Sequence, residues 1–215
     1  MKKLILFIIF TNLSSFAQQM QTPFYNFSEK KGYVIDKDGT KINGNITINF
    51  IDTVTENTGG SILSLGGGDF GKSGKIKFID ENGKKQKESF KSKNGTKFCV
   101  QVDSLEICFL GLKTSGNEIE KASQMSKLSF DTSMFYQTVF EKDGVYLLQE
   151  VKSKNFIIKT PKQEKGMFIN NELGFVKEQK IIDYLNCEGL VANSENLYDK
   201  SGIIKLLELY ATKCK

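Results

Sequence analysis

The sequence predicts a mainly β protein of the α+β class: an antiparallel, hairpin-built sandwich or open barrel with a C-terminal α-helical unit. Three observations predict it. Runs of period-two alternation recur along most of the chain, as in Ile42, Gly44, Ile46, Ile48 and Phe50 set against polar neighbours. Each such run marks a strand with one buried face. Asp38-Gly39, Asn82-Gly83, Asn94-Gly95 and Asp143-Gly144 punctuate the runs, and these dipeptides are strong turn signals. Helical spacing is clear only at the end, where Ile203, Leu207, Tyr210 and Cys214 fall at i, i+4, i+7 and i+11.

The chain opens with Met1-Lys2-Lys3, the apolar run Leu4 to Phe10 and then Ser14-Ser15-Phe16-Ala17-Gln18. A basic start, a short apolar stretch and small residues form the pattern of a secretory signal peptide, with cleavage after Ala17. The run is shorter than the roughly 20 residues that cross a bilayer as a helix. Residues 1–17 are thus assigned to the leader, 18–175 to a β-rich body and 176–215 to the helical unit.

Within the body, Gln18 to Ser28 reads as an extended arm. A strand from Gly32 to Ile35 turns at Asp36 to Gly39 into Thr40 to Phe50. Gly44 in mid-strand marks a bulge or a close backbone approach. Residues 52–74 are rich in glycine and read as a mobile loop, with room for a short strand at Ile62 to Leu65. Lys75 to Ile79 and Lys84 to Phe90 then flank a turn at Asp80 to Gly83. Lys97 to Val102 follows, with Asp103-Ser104 as a two-residue bend. Gly111 to Ser129 is ambiguous, and Glu118 to Met125 within it reads equally as a helical turn or a surface loop. Met134 to Glu141 and Val145 to Val151 make another hairpin. Phe156 to Thr160 and Gly166 to Asn170 complete the body, joined through Pro161. In the helical unit, Ile181, Tyr184 and Leu185 share one face of a helix starting near Lys177. A short helix is expected at Leu190 to Asn193, and Asp199 or Ser201 caps the last one.

Composition excludes several chemistries. Histidine and tryptophan are absent, which removes Ser-His-Asp and Cys-His catalysis, histidine metal sites and the usual switch near neutral pH. All 30 basic residues are lysine, against 25 acids, for a net charge of +5. Nucleic-acid binders cluster positive charge and use arginine forks. The sequence offers no arginine and no evident cluster, so the charge reads as ordinary solvation and no nucleic-acid partner is expected.

The four cysteines, Cys99, Cys108, Cys187 and Cys214, are candidates for disulfides rather than metal ligands. Exported chains with an even count usually bond them, and the spacings of 9, 79 and 27 lack the close pairs of a zinc site. Three pairings exist. The sequence-local one, Cys99–Cys108 with Cys187–Cys214, is favoured: the bend at Asp103-Ser104 would set the first pair on neighbouring strands, and Cys214 lies on the apolar helix face. The spacing permits these bridges without requiring them.

Residues Gly66 to Ser73, GGGDFGKS, match the phosphate-cradling pattern G-x-x-x-x-G-K-[ST]. That chemistry needs a helix directly after the lysine, whereas Ile76-Lys77-Phe78-Ile79 alternates like a strand, so no nucleotide is expected. Acid–base chemistry would draw on Asp36 with Asp38, Asp80 with Glu81, or Glu118 with Glu120, all placed at turns or exposed positions. No pair is nominated as catalytic, and no metal or cofactor is expected. Phe130, Phe135, Tyr136, Phe140 and Tyr146 read as core before they read as a ligand groove. The lysine stretches Lys84 to Lys87 and Lys91 to Lys97 suit an exposed strand face, or contact with anionic glycans or lipid headgroups.

Several of these segments together resemble a family of uncharacterised exported proteins of Bacteroidota. They are the hairpin Gly32-Tyr33-Val34-Ile35 through Asp38-Gly39 to Ile42-Asn43-Gly44-Asn45-Ile46, and Ile76 to Lys84. Phe135-Tyr136 with Gly144 to Leu148, Tyr184-Leu185-Asn186-Cys187 and Tyr210 to Cys214 complete the set, with the leader ending Phe16-Ala17-Gln18. The resemblance implies an exported β-rich protein and assigns no activity or catalytic residue. It also implies O-glycosylation at Asp52-Thr53-Val54 and Asp103-Ser104-Leu105. The function expected is that of an exported, non-catalytic binding or envelope-associated protein of the periplasm or cell surface, partnered by an envelope protein or glycan. The alternative is a carboxylate-dependent hydrolase acting on envelope glycans or peptides.

Overall fold

Eleven strands hydrogen-bond into one continuous sheet in this computed structural model, which describes residues 26–50, 71–115, 133–151, 153, 155–169, 178–190 and 200–214. In chain order the strands are β1 (Asn26–Ile35), β2 (Lys41–Asn49), β3 (Ser73–Ile79), β4 (Lys85–Lys91), β5 (Lys97–Val102) and β6 (Leu105–Leu112). They continue as β7 (Thr114–Ser115), β8 (Met134–Lys142), β9 (Val145–Gln149), β10 (Phe156–Lys159) and β11 (Gly166–Ile169). Among the described residues two α-helices follow, α1 (Glu178–Leu185) and α2 (Lys200–Lys213). Across the sheet the order is β4-β3-β2-β1-β5-β6-β8-β9-β10-β11-β7. The pairings are antiparallel apart from the short parallel contact of β7 with β11, and the sheet is not closed into a barrel. The leader, residues 52–70 of the glycine-rich stretch, Glu118 to Met125 and Asp199 lie outside the described residues.

The turns follow the local chemistry of their residues. Asp36 Oδ1 accepts from the amides of Asp38 and Thr40, and Asp80 Oδ1 accepts from those of Asn82 and Lys84. The aspartates thereby hold both hairpin bends from within. Gly39 and Gly83 supply the positive φ these bends need, at 85° and 75°.

The sheet packs on both of its faces. In the first half, Phe27, Phe50, Phe90, Phe98, Phe109 and Phe135 meet beneath β1 to β6. Phe98 stacks on Phe109 with ring centres 4.8 Å apart and meets Phe135 edge-on at 5.0 Å, both favoured aromatic arrangements. On the other face of the second half, Leu112, Tyr136, Leu148 and Ile157 form a separate core. Strand β6 serves both. Its odd residues Ile107 and Phe109 enter the phenylalanine core, while Leu110 and Leu112 enter the second.

The first half also folds back on β8. Gly71 N–H donates to Asn49 C=O and its own carbonyl accepts from Phe135 N–H, while Ser92 N–H donates to Lys72 C=O. Gly111 completes this seam, because a Cβ there would lie 2.5 Å from Ser92 Cα. The sequence leaves Gly111 in an ambiguous stretch, whereas it lies in β6, and the reason for the glycine is the chain just past β4 crossing over it.

Strands β9 to β11 are buried on both faces. Val145, Leu147, Phe156, Ile158 and Ile169 point away from the second core and against Ile181, Leu185, Ile203, Leu207 and Tyr210 of the helices. Cys187, just beyond α1, is bonded to Cys214, just beyond α2. Hydrogen bonds tie α1 to the β10–β11 connection: Tyr184 O–H donates to Lys165 C=O at 2.8 Å, and Gln163 Nε2 donates to Tyr184 C=O at 3.0 Å. Lys162 Nζ donates to Cys214 C=O at 2.7 Å, placing a cation at the carbonyl end of α2.

Three expectations are corrected. The arm ending at Ser28 is core strand from Asn26, because Phe27 is only 1% exposed inside the phenylalanine cluster. A bulge between Phe27 and Lys30, with Glu29 at φ 52°, lets the strand continue. Ser201 lies inside α2 rather than capping it. Leu190 follows a turn at Glu188-Gly189 and is not helical; it caps the helical core as a buried side chain, and residues 191–193 are not described.

Two measurements check this packing. Gly111→Ala should lower stability by about 2 kcal/mol through overpacking against backbone, read as a lower urea midpoint with unchanged slope. Opening the Cys187–Cys214 bridge, which closes a 27-residue separation, should cost about 3 to 4 kcal/mol by the loop-entropy relation. The double Cys→Ser variant should therefore melt earlier while retaining its β circular-dichroism signal.

Candidate binding face

Directly paired residues on neighbouring strands share a face of the sheet, so the register of β1 to β5 shows what the outer surface of the first half carries. One row runs Lys87, Lys77, Asn45, Lys31 across β4, β3, β2 and β1. The row beside it on one side is Ser89, Lys75, Thr47, and beyond that Lys91 pairs with Ser73. On the other side Lys85 pairs with Ile79, and Asn43, Tyr33, Cys99 and Cys108 align. A last row holds Lys41, Ile35, Lys97 and Leu110. Eight lysines thus emerge on the face opposite the phenylalanine core, seven of them exposed and Lys97 half-buried.

The sequence shows no evident cluster of this charge, and the register gathers it on one exposed face. The signal was present as alternation: Lys75 with Lys77, and Lys85 with Lys87 and Lys91, have the parity opposite to Ile76 and Phe90. Alternation assigns those lysines to the outside of their own hairpin. It cannot say that Lys31, Lys41 and Lys97 join them, because that depends on β1 lying between β2 and β5.

Acids are few on this face. Among the described residues, Lys77 pairs with Glu29 at 2.8 Å and Lys97 with Glu141. Glu106 accepts from Tyr33 O–H at 3.1 Å, and Lys41 Nζ stands 3.6 Å from the centre of the Tyr33 ring, a cation–π contact. Burial, followed by Glu106, pushes the Tyr33 hydroxyl above its ordinary pKa. Lys77 faces Lys87 directly, an opposition of like charge that weakens a strand pair.

Cys99 and Cys108 stand directly opposite each other on β5 and β6 and are disulfide-bonded. Glu106 lies close enough to complete a three-residue grouping of metal-ligand type. The two sulfurs are bonded to each other, which leaves one carboxylate and no donor set for an ion. The implied glycosylation position Ser104 is exposed in the β5–β6 turn; Thr53 lies outside the described residues.

The other sequence candidates do not assemble into a reactive centre. Asp36 and Asp80 spend their oxygens on turn amides, and Asp80 also accepts from Gln86 Nε2 at 2.8 Å. That hydrogen bond, followed by the one from Lys84 N–H, holds Asp80 below the usual carboxylate range, the reverse of what a proton donor needs. Asp38 and Glu81 are exposed beside them, and Glu118 and Glu120 lie outside the described residues. A small pocket between the β8–β9 turn and α2 contains one acid, Asp143, beside Lys162 and Tyr210.

Of the phosphate-cradle match, only Gly71-Lys72-Ser73 is described, and the strand β3 begins at Ser73 where a helix would be required. The aromatic group is packing: Phe135 and Tyr136 are buried on opposite faces, and Phe140 and Tyr146 are partly buried. Phe130 is not described.

Tyr146 O–H donates to Glu141 at 3.0 Å, joining the ion pair with Lys97. Burial first, then Glu141, pushes the Tyr146 hydroxyl up to about 12, and burial does the same for Tyr136 and Tyr184. A tyrosine whose folded pKa is raised contributes stability that is complete below the unfolded value near 10 and is lost as pH climbs through the folded value. Stability should therefore fall between pH 10 and about 12, with part of the tyrosinate absorbance appearing late. Tyr146→Phe should reduce that late fraction. No family model, curated protein or solved structure matches this chain.

Proposed function

We propose that the chain is an exported, non-catalytic binding protein of the periplasm or cell surface, meeting an envelope protein or glycan through the outer face of β1 to β5. The observation that carries this reading is the gathering of eight lysines on one solvent-facing side of the sheet. Export is supported by the leader pattern in residues 1–17 and by the two disulfides, which suit an oxidising compartment. No helix among the described residues is long and apolar enough to cross a membrane. The resemblance to exported Bacteroidota proteins supports the same placement. The alternative, hydrolysis through paired carboxylates, has less behind it, since Asp36 and Asp80 act as turn acceptors.

Crosslinking and pull-down from the native envelope test the proposal. The protein should recover a defined partner, and Lys75→Glu with Lys77→Glu and Lys87→Glu should abolish recovery while leaving the melting temperature nearly unchanged. Turnover of a glycan or peptide substrate by the protein alone, with no partner recovered, would overturn it.

A further inference from the structure

We infer that the lysine face binds an anionic polysaccharide, an extended glycan carrying carboxylate or sulfate groups. This inference rests on the reading of the chain as an exported binding protein and names its ligand class. Charge complementarity is the first argument. Of the eight lysines, only Lys77 and Lys97 are ion-paired among the described residues. The direct opposition of Lys77 and Lys87, with Lys75 and Lys85 each two residues along, concentrates repulsion that a bound polyanion would relieve.

Geometry is the second argument. Strands lie about 4.8 Å apart, and alternate residues along a strand are separated by about 6.8 Å, so the lysines are rooted on a shallow grid that spans several strands. Asn43, Asn45 and Thr47 interleave with the lysines on that grid, offering donors and acceptors suited to hydroxyl groups. The face lies on the outside of the first half, opposite its core, where an extended chain can cross several strands.

Side-chain type then separates this ligand from other polyanions. Lysine ammonium groups are strongly hydrated point charges without the planar fork of arginine, and the chain has no arginine, so the face attracts negative charge in general, while the interleaved Asn43, Asn45 and Thr47 favour a ligand rich in hydroxyl groups. Insertion into a lipid surface draws on an apolar side chain set as well as charge. Among the described residues, Ile79, 67% exposed, is the single large exposed hydrophobe on this face.

Binding of the full-length chain to polygalacturonate and to heparin, with neutral dextran as the control polymer, tests the inference. Retention is expected on one or both anionic polymers and not on dextran, with affinity falling steeply between about 50 and 200 mM salt. Lys31→Gln, Lys75→Gln, Lys77→Gln and Lys87→Gln combined should weaken binding by about tenfold or more. Lys180→Gln, Lys205→Gln and Lys213→Gln, on the helices, should leave it unchanged. A carboxylated ligand is indicated by preference for polygalacturonate and a sulfated one by preference for heparin. Equal loss in the two variants, equal retention on dextran, or tighter binding to a single-stranded oligonucleotide or to phosphatidylglycerol vesicles would overturn the inference. Failure on both polymers by a protein that still recovers an envelope partner would reject the ligand class and leave the binding function standing.

Discussion

The packing of both faces of β6 towards its end at Leu112 is the constraint on which the rest of the structure depends. A strand with one wet face can belong to an ordinary two-layer domain. Here Ile107 and Phe109 are committed to the phenylalanine core while Leu110 and Leu112 are committed to the second core. Apolar surface is therefore removed from water on opposite sides of the sheet at this strand. One continuous sheet then replaces two separate ones, and the outer surface of the first half leads to the inner surface of the second. Gly111 belongs to the same constraint, since the end of β4 passes too close for any side chain.

The two disulfides reinforce different parts of this arrangement. Cys99–Cys108 joins adjacent strands already held by six paired residues on each side, so it adds covalent closure to an interface that hydrogen bonds define. Cys187–Cys214 fastens the ends of two short helices that cover β9 to β11. An eight-residue helix such as α1 is below the length that persists alone in water, and its place is secured by the bridge, by Ile181 and Leu185, and by the Tyr184 and Gln163 hydrogen bonds. The helical unit is a structural closure. The chemistry on offer lies on the opposite half of the molecule.

That chemistry is electrostatic, consistent with a chain that has no histidine and in which Asp36 and Asp80 are spent on turns. The hairpins display lysine because one face of each strand must remain solvated, and lysine on the β4 edge also discourages pairing with another chain. Edge protection accounts for Lys85, Lys87 and Lys91. It does not account for Lys31, Lys41 or Lys97, which emerge from strands inside the sheet.

Much of the fold was legible in the residues themselves. Alternation located β2 and β3, Asp-Gly and Asn-Gly located the bends and the hairpin of β8 with β9, and the spacing of Ile203, Leu207 and Tyr210 located α2, because each signal is carried by neighbours in sequence. Phe27 was misread, since a single apolar residue in a polar stretch reveals its burial only when Phe50 and Phe109 come to meet it. The sequence by itself determined the elements, the absence of histidine chemistry and the supply of positive charge. Only the tertiary structure decided where that charge stands, because β1 pairs with β5 across more than sixty intervening residues and this long-range register turns scattered lysines into one face.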